Sequence, residues 1–206
     1  MRLTHVYIGG GAAGFFTAIN AAYRNPHIKH IIYEATSKPM SKILLSGGGR
    51  CNVTHNCFVP KDLVKNFPRG HRELLGPFTS SFQPKHTVEW FKSKGVELKA
   101  ERDGRMFPTT NSSETIANCF QNEADKLGVQ VVTRCAVTKI DINSINNTNS
   151  NSNIPKFKVF IKQKSNRSLS GTDTATGESV IHADKVLLST GSFRTSYNLA
   201  LQLGHS

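Results

Sequence analysis

The chain has 206 residues, 37% hydrophobic and 19% charged, with a formal net charge of +12 at pH 7. That length suffices for one well-cored domain or a domain with an insertion, and the balance is that of a soluble globular protein. No apolar run approaches membrane-spanning length, and four cysteines (Cys51, Cys57, Cys119, Cys135) in a chain this long exclude a disulfide scaffold.

Residues 3–8 read as a short apolar strand with Val6, Tyr7 and Ile8 at its core. Gly9, Gly11 and Gly14 follow in G-x-G-x-x-G spacing. A helix over 12–24 carries Phe15, Ile19 and Ala22 at helical spacing. In this motif the glycines serve a tight turn, close approach of backbone to a pyrophosphate, and close helix–strand packing. The helix N-terminus, with Ala12 and Ala13, offers unpaired N–H groups and partial positive charge to phosphates. A second strand, over 30–34, contains Ile31, Ile32 and Tyr33 and ends in Glu34, twenty residues past Gly14. An acid there accepts hydrogen bonds from an adenosine ribose. The plainer reading is a glycine-rich turn of some other α/β protein, with Glu34 a solvated strand end.

Residues 35–58 form a loop dense in Ser, Gly and Asn. From 60 to 94 the chain is helical in pieces, with an apolar face at Val88 and Phe91 and a stop at Gly95. Residues 96–100 and 105–107 read as a hairpin around Asp103-Gly104. Asn111 and Glu114 resemble a capping box. The helix that follows shows Ile116, Phe120, Ala124 and Leu127 on one side and ends at Gly128. Residues 129–133 are expected as a buried strand, the third of a parallel sheet. Runs at 136–142, which includes Val137, at 157–162 and at 179–181 read as an antiparallel meander. The connection 143–153 is almost all Asn, Ser and Thr and is expected to be a disordered insertion, with 165–177 similar. A buried strand over 185–189 ends in Thr190-Gly191.

The most specific string is Ser46-Gly47-Gly48-Gly49-Arg50-Cys51-Asn52-Val53-Thr54. Its glycines let backbone approach a ligand, its successive amides suit an anionic or carbonyl-rich group, and Arg50 adds positive charge. Together with residues 8–14, 42–45 and 104–108 and the ending Thr190-Gly191, it makes the chain resemble the HI-type conserved flavoproteins. These are also described as BaiN-like or aminoacetone-oxidase-like FAD-dependent oxidoreductases. The resemblance implies that the first glycine turn binds the FAD pyrophosphate, that Glu34 binds the adenosine ribose, and that the Ser46–Thr54 segment lies along FAD toward the flavin. The candidate cofactor residues are thus Gly9, Gly11, Ala12, Ala13, Gly14, Glu34, Lys42, Ser46, Gly47, Gly48, Arg50, Cys51, Asn52, Thr54, Val137, Thr190 and Gly191. Two strings depart from the family. Its Gly-Arg-Lys reads Met40-Ser41-Lys42, and its Ala-Thr-Gly-Gly reads Ser189-Thr190-Gly191-Ser192. Family members also continue beyond the point matching Ser206, so the chain reads as an N-terminal half.

The expectation is therefore an α/β, three-layer, FAD/NAD(P)-binding Rossmann-like domain over 1–206, incomplete, with a β-meander insertion at about 135–184. Its function is FAD binding within a flavin-dependent oxidoreductase, with NAD(P)H a candidate reductant. Two alternatives stay open. One is a catalytically inactive flavin-binding or interaction protein. The other is a disulfide-reductase-like thiol enzyme using Cys51 and Cys57, against which stands a spacing one residue longer than the usual Cys-x4-Cys. Arg50 reads as a cofactor contact or a solvated charge, Lys42 as a second cation or a surface lysine. Asn52 and Thr54 bond either the cofactor or their own loop. No catalytic acid or base is identified, and no metal spacing appears among the eight histidines. Lys and Arg are scattered, which favours a small-molecule substrate over nucleic acid or membrane. With no signal peptide in view, a cytoplasmic location is expected.

Overall fold

The computed structural model of the chain describes residues 2–143, 156–163 and 177–205. It divides into two compact units, Met1–Ser41 with Phe120–Ser206, and Lys42–Cys119. Along the chain lie β1 (Thr4–Ile8), α1 (Ala12–Arg24), β2 (Lys29–Tyr33), α2 (Ser41–Gly49) and β3 (Thr54–His55). Then come α3 (Pro60–Leu63), α4 (His71–Ser80), α5 (Pro84–Ser93), β4 (Leu98–Ala100), β5 (Arg105–Pro108) and α6 (Ser113–Lys126). The remainder is β6 (Gln130–Val132), β7 (Cys135–Ile142), β8 (Phe157–Gln163), β9 (Glu178–Ala183), β10 (Lys185–Leu188) and α7 (Arg194–Gln202).

The first unit is a Rossmann-like α/β arrangement. Its parallel sheet has the order β10-β1-β2-β6. Ile8 pairs with both Leu188 and Tyr33, so the carboxyl ends of β10, β1 and β2 share one edge. In an open parallel sheet that edge is where ligands bind. Alternation along β1 and β2 sorts their side chains by face. Val6, Ile8, Ile31 and Tyr33 pack with Val137, Ile140, Val159 and Ile161 of the antiparallel meander β7-β8-β9 and with Leu199 of α7. The other face meets α1, which buries Phe15, Ala18, Ile19 and Ala22 at helical spacing. The three-layer, meander-bearing expectation holds.

On that second face sits a buried histidine. His30 is 3% exposed; its Nε2 lies 3.3 Å from the Asn25 carbonyl, which can only accept. Nε2 therefore carries the proton, and the Tyr7 hydroxyl donates to Nδ1 at 2.9 Å. Burial pushes the His30 pKa below 6.5, helped by Arg2 and His27, and burial also lowers that of the neighbouring His5. Both rings are thus biased toward the neutral form in the fold, while the unfolded chain takes up protons near pH 6.5. This part of the stability is full above 6.5 and is lost as pH falls from there through the folded values. Thermal melts should show Tm dropping from pH 7 to pH 5, and His30→Gln should flatten the slope. An unchanged slope in that variant would assign the acid sensitivity elsewhere.

The second unit holds the antiparallel sheet β3-β5-β4 and helices α2 to α5. Phe107 on β5 is fully buried, as are Phe91 of α5 and Ile116 of α6 to within a few per cent. The expected hairpin forms: Leu98 pairs with Pro108 and Ala100 with Met106, and the Gly104 amide donates to Glu101.

Several expectations need correction. Residues 35–58 are not all loop: α2 starts at Ser41 and buries Ile43, and Thr54–His55 pair with β5. The cap of α6 is Ser112, whose hydroxyl accepts the Glu114 amide at 3.3 Å. Asn111 instead adopts φ 53 in the turn before it. The strands β6 and β10 are half-buried, because each is an edge of the four-stranded sheet. Glu34 lies just past β2 rather than within it. The insertion expected at 143–153 falls outside the described residues from 144 onward, as does most of 165–177. Among the described residues no helix is long and apolar enough to cross a membrane.

Candidate functional site

Each glycine of the first turn has a different neighbourhood. Gly9 has φ 108, a backbone that side-chained residues rarely adopt, and its amide donates to the Tyr33 carbonyl at 2.8 Å. A Cβ there would lie 2.8 Å from the Ser189 carbonyl oxygen and 2.9 Å from Thr190 Cα. At Gly14 a Cβ would fall 2.2 Å from the Gly9 carbonyl oxygen. These two glycines let β10, the turn and α1 approach closely. Gly11 is unlike them. Its φ of −95 suits any residue, and a Cβ would meet nothing within 4 Å. Nothing in the fold demands glycine at Gly11, and the space beside it is open.

That open space lies at the start of α1. Gly11 is the N-cap and makes no side-chain cap bond. The first amides of a helix have no intrahelical acceptor, so Ala12, Ala13 and Gly14 present N–H groups with a partial positive charge. Ala12 and Ala13 are exposed and Gly14 is buried. Across the same edge, the Thr190 hydroxyl oxygen is buried with no hydrogen-bond partner, an orphan of the kind that a ligand or water satisfies. Gly191 follows it with φ 66. Glu34 completes the set: its Oε2 accepts the Gly10 amide at 2.8 Å and its Oε1 the Thr36 amide at 2.8 Å. Amides that donate to a pyrophosphate and a fixed carboxylate that accepts from a ribose are the polar groups a dinucleotide site uses, and these residues fit one. Val137 lies deeper, 5% exposed among the core side chains and paired with Ile161.

Ser189 and Thr36 escaped the sequence reading. The Ser189 hydroxyl lies 3.0 Å from both the Ile8 and Gly9 carbonyl oxygens, clamping β10 to the turn. The visible signal was the replacement of the family's Ala by Ser189. Thr36 carried no motif signal.

The second glycine run lies in the other unit. Ser46 leaves the helix at ψ 148, and Gly47, Gly48 and Gly49 take φ 57, 67 and 83. A Cβ on Gly47 would sit 2.7 Å from the Phe107 ring, whereas Gly48 and Gly49 face open space. The Cys51 amide closes the turn on the Ser46 carbonyl at 3.0 Å, with Cys51 itself at φ 61. Arg50 is drawn into its own unit: Nη1 lies 2.5 Å from Glu101 Oε1, and the guanidinium stands 4.2 Å from the Phe107 ring centre. Asn52 and Lys42 are exposed, Thr54 half-buried and paired with Met106. Both Cys51 and Cys57 are free thiols. Burial pushes the Cys51 thiol up, partly offset by the Ser46 hydroxyl, so it is a poorer thiolate than an exposed cysteine.

A sequence profile described as "HI0933-like protein Rossmann domain" matches residues 3–206. The 3-dehydro-bile acid delta(4,6)-reductase of Clostridium scindens is 28% identical over 137 residues, 66% of this chain and 32% of that protein. The ribosomal RNA dihydrouridine synthase of Haemophilus influenzae is 26% identical over 137 residues, with the same shares. The matched stretch is thus about a third of the length of these curated relatives. Among solved structures, Thermovibrio ammonificans THI4 aligns with a TM-score of 0.62 at 11% identity, covering 100% of this chain and 64% of that one. At that identity the likeness establishes the fold.

Proposed function

The chain belongs to the HI0933-like protein Rossmann domain family, and from that premise we propose that it is the FAD-binding portion of a flavin-dependent oxidoreductase. The observation that carries this reading is Gly11, a glycine that the fold itself does not need, at the mouth of a helix whose amides are free for phosphate. The Ala12, Ala13 and Gly14 amides hold the pyrophosphate, Thr190 supplies a hydroxyl beside it, and Glu34 accepts from the adenosine ribose. When bound, the flavin supplies the electron transfer; the chain binds and orients it. In titration calorimetry FAD should bind more tightly than NAD. The reverse order would overturn the reading. NAD(P)H is proposed as reductant, tested by anaerobic bleaching of the flavin absorbance. Flavin that binds but is never reduced by NAD(P)H or substrate would favour the inactive-binder alternative.

Glu34 offers a sharper test. A charge-assisted hydrogen bond from a ribose hydroxyl is worth about 1.5–3 kcal/mol. Glu34→Ala should therefore weaken FAD about ten- to a hundredfold, while FMN, which lacks the adenosine, is unaffected. Equal losses for both would remove Glu34 from the ribose site.

The substrate is proposed to be a small molecule. The +12 charge is spread along the chain rather than gathered in one run. A relative is named for ribosomal RNA, so a salt-resistant complex of this chain with ribosomal RNA would reverse that choice. A reducing, cytoplasmic setting suits the four free cysteines.

A further inference from the structure

Three donors converge on one carboxylate. Glu34 Oε2 accepts the Gly10 amide, and Oε1 accepts both the amide and the hydroxyl of Thr36, each at 2.8 Å. A carboxylate has about four acceptor sites, so one remains, on Oε2. The loop that carries these donors is itself tied down. The Glu34 amide donates to Val132, the Glu34 carbonyl accepts from Cys135, and the Thr36 carbonyl accepts from Arg134, each at 2.9 Å. Gly10 presses from the other side: a Cβ there would stand 3.1 Å from Glu34 Cβ. The Thr36 hydroxyl has a single hydrogen and a second acceptor, the Lys38 carbonyl at 2.9 Å. It serves one or the other.

Resting on the reading of Glu34 as the ribose acceptor, we propose that Thr36 is a positioning residue, whose hydroxyl holds the Glu34 carboxylate ready for the adenosine ribose. A free glutamate side chain loses rotamer freedom when it binds; one already held by three donors has little left to lose. The open site on Oε2 takes a ribose hydroxyl. Ribose recognition is thus shared between Glu34, which touches the ligand, and Thr36, which acts through Glu34.

The test is a double-mutant cycle on the full chain, read as FAD and FMN affinity by fluorescence titration. Thr36 is exposed, and Thr36→Val keeps its shape and its amide while removing the hydroxyl. Thr36→Val should weaken FAD about five- to tenfold and leave FMN unchanged, and Thr36→Ser should restore the unaltered affinity. In a Glu34→Ala background Thr36→Val should have no further effect, because the residue it positions is gone. A loss that persists in that background, or that extends to FMN, would show a merely structural role and overturn the proposal. Indifference of FAD to Thr36→Val, in a protein that binds FAD, would overturn it alone. An unaltered chain that binds no FAD would overturn it together with the FAD reading.

Discussion

Replacing Gly11 with valine is expected to weaken FAD by about a hundredfold or more while leaving the chain folded. The two halves of that expectation come from the same geometry. At Gly11 the backbone has φ −95 and ψ −171, which a β-branched residue adopts readily. The space a side chain would enter is empty of protein to 4 Å. It is the space in which a pyrophosphate would contact the Ala12 and Ala13 amides. The folding cost is only that of a poorer N-cap, about 1 kcal/mol, or a few degrees in Tm for a chain of this length. Thermal melts and FAD titrations on the same preparation check both halves. Full flavin occupancy in Gly11→Val would remove the turn from the phosphate site.

Gly14→Ala is expected to do the opposite. Its new Cβ would sit 2.2 Å from the Gly9 carbonyl oxygen and 3.0 Å from the Ser189 hydroxyl. The first neighbour is backbone and has no rotamer by which to escape. Either α1 moves off the sheet or the turn opens, and the turn is pinned by Gly9 on Tyr33 and by Ser189 on Ile8. Overpacking of this kind costs about 3 kcal/mol, or about 10 °C in Tm, with or without ligand. Alanine is a better helix former than glycine by about 1 kcal/mol, so a clash-free site would show a rise instead. A Tm equal to or above that of the unaltered chain would mean that α1 and the turn are less closely packed than described.

These two variants separate what the motif joins. G-x-G-x-x-G is one string in the sequence, but Gly14 is packed against the turn's own backbone whereas Gly11 faces open space. Only the neighbours in space distinguish them. The Ser46–Thr54 run behaves likewise. Its glycines were legible as a close approach, yet Gly47 is glycine because the Phe107 ring lies against it, and Gly48 and Gly49 face open space. Arg50 reads as a cofactor contact or a solvated charge; the fold pairs it with Glu101, a residue fifty-one positions away that no local pattern connects to it.

The sequence by itself determined the βαβ opening, the helices α1 and α6, the hairpin, the meander and the place of Glu34. These follow from short-range causes. Apolar spacing of 3.6 or 2 selects the element, glycine and Asp-Gly end it, and the distance from turn to acid is one β–α–β length. What only the tertiary structure decided depends on partners distant in the chain. The order β10-β1-β2-β6 makes β6 and β10 edges, so their apolar residues are half-buried although their composition reads as core. The Ser189 clamp on Gly9 joins positions 180 residues apart. The cage around Glu34 joins Gly10, Glu34 and Thr36 across two strand ends. Hydrogen bonds and steric exclusion act within a few ångströms, and sequence separation carries no information about which distant groups will come that close.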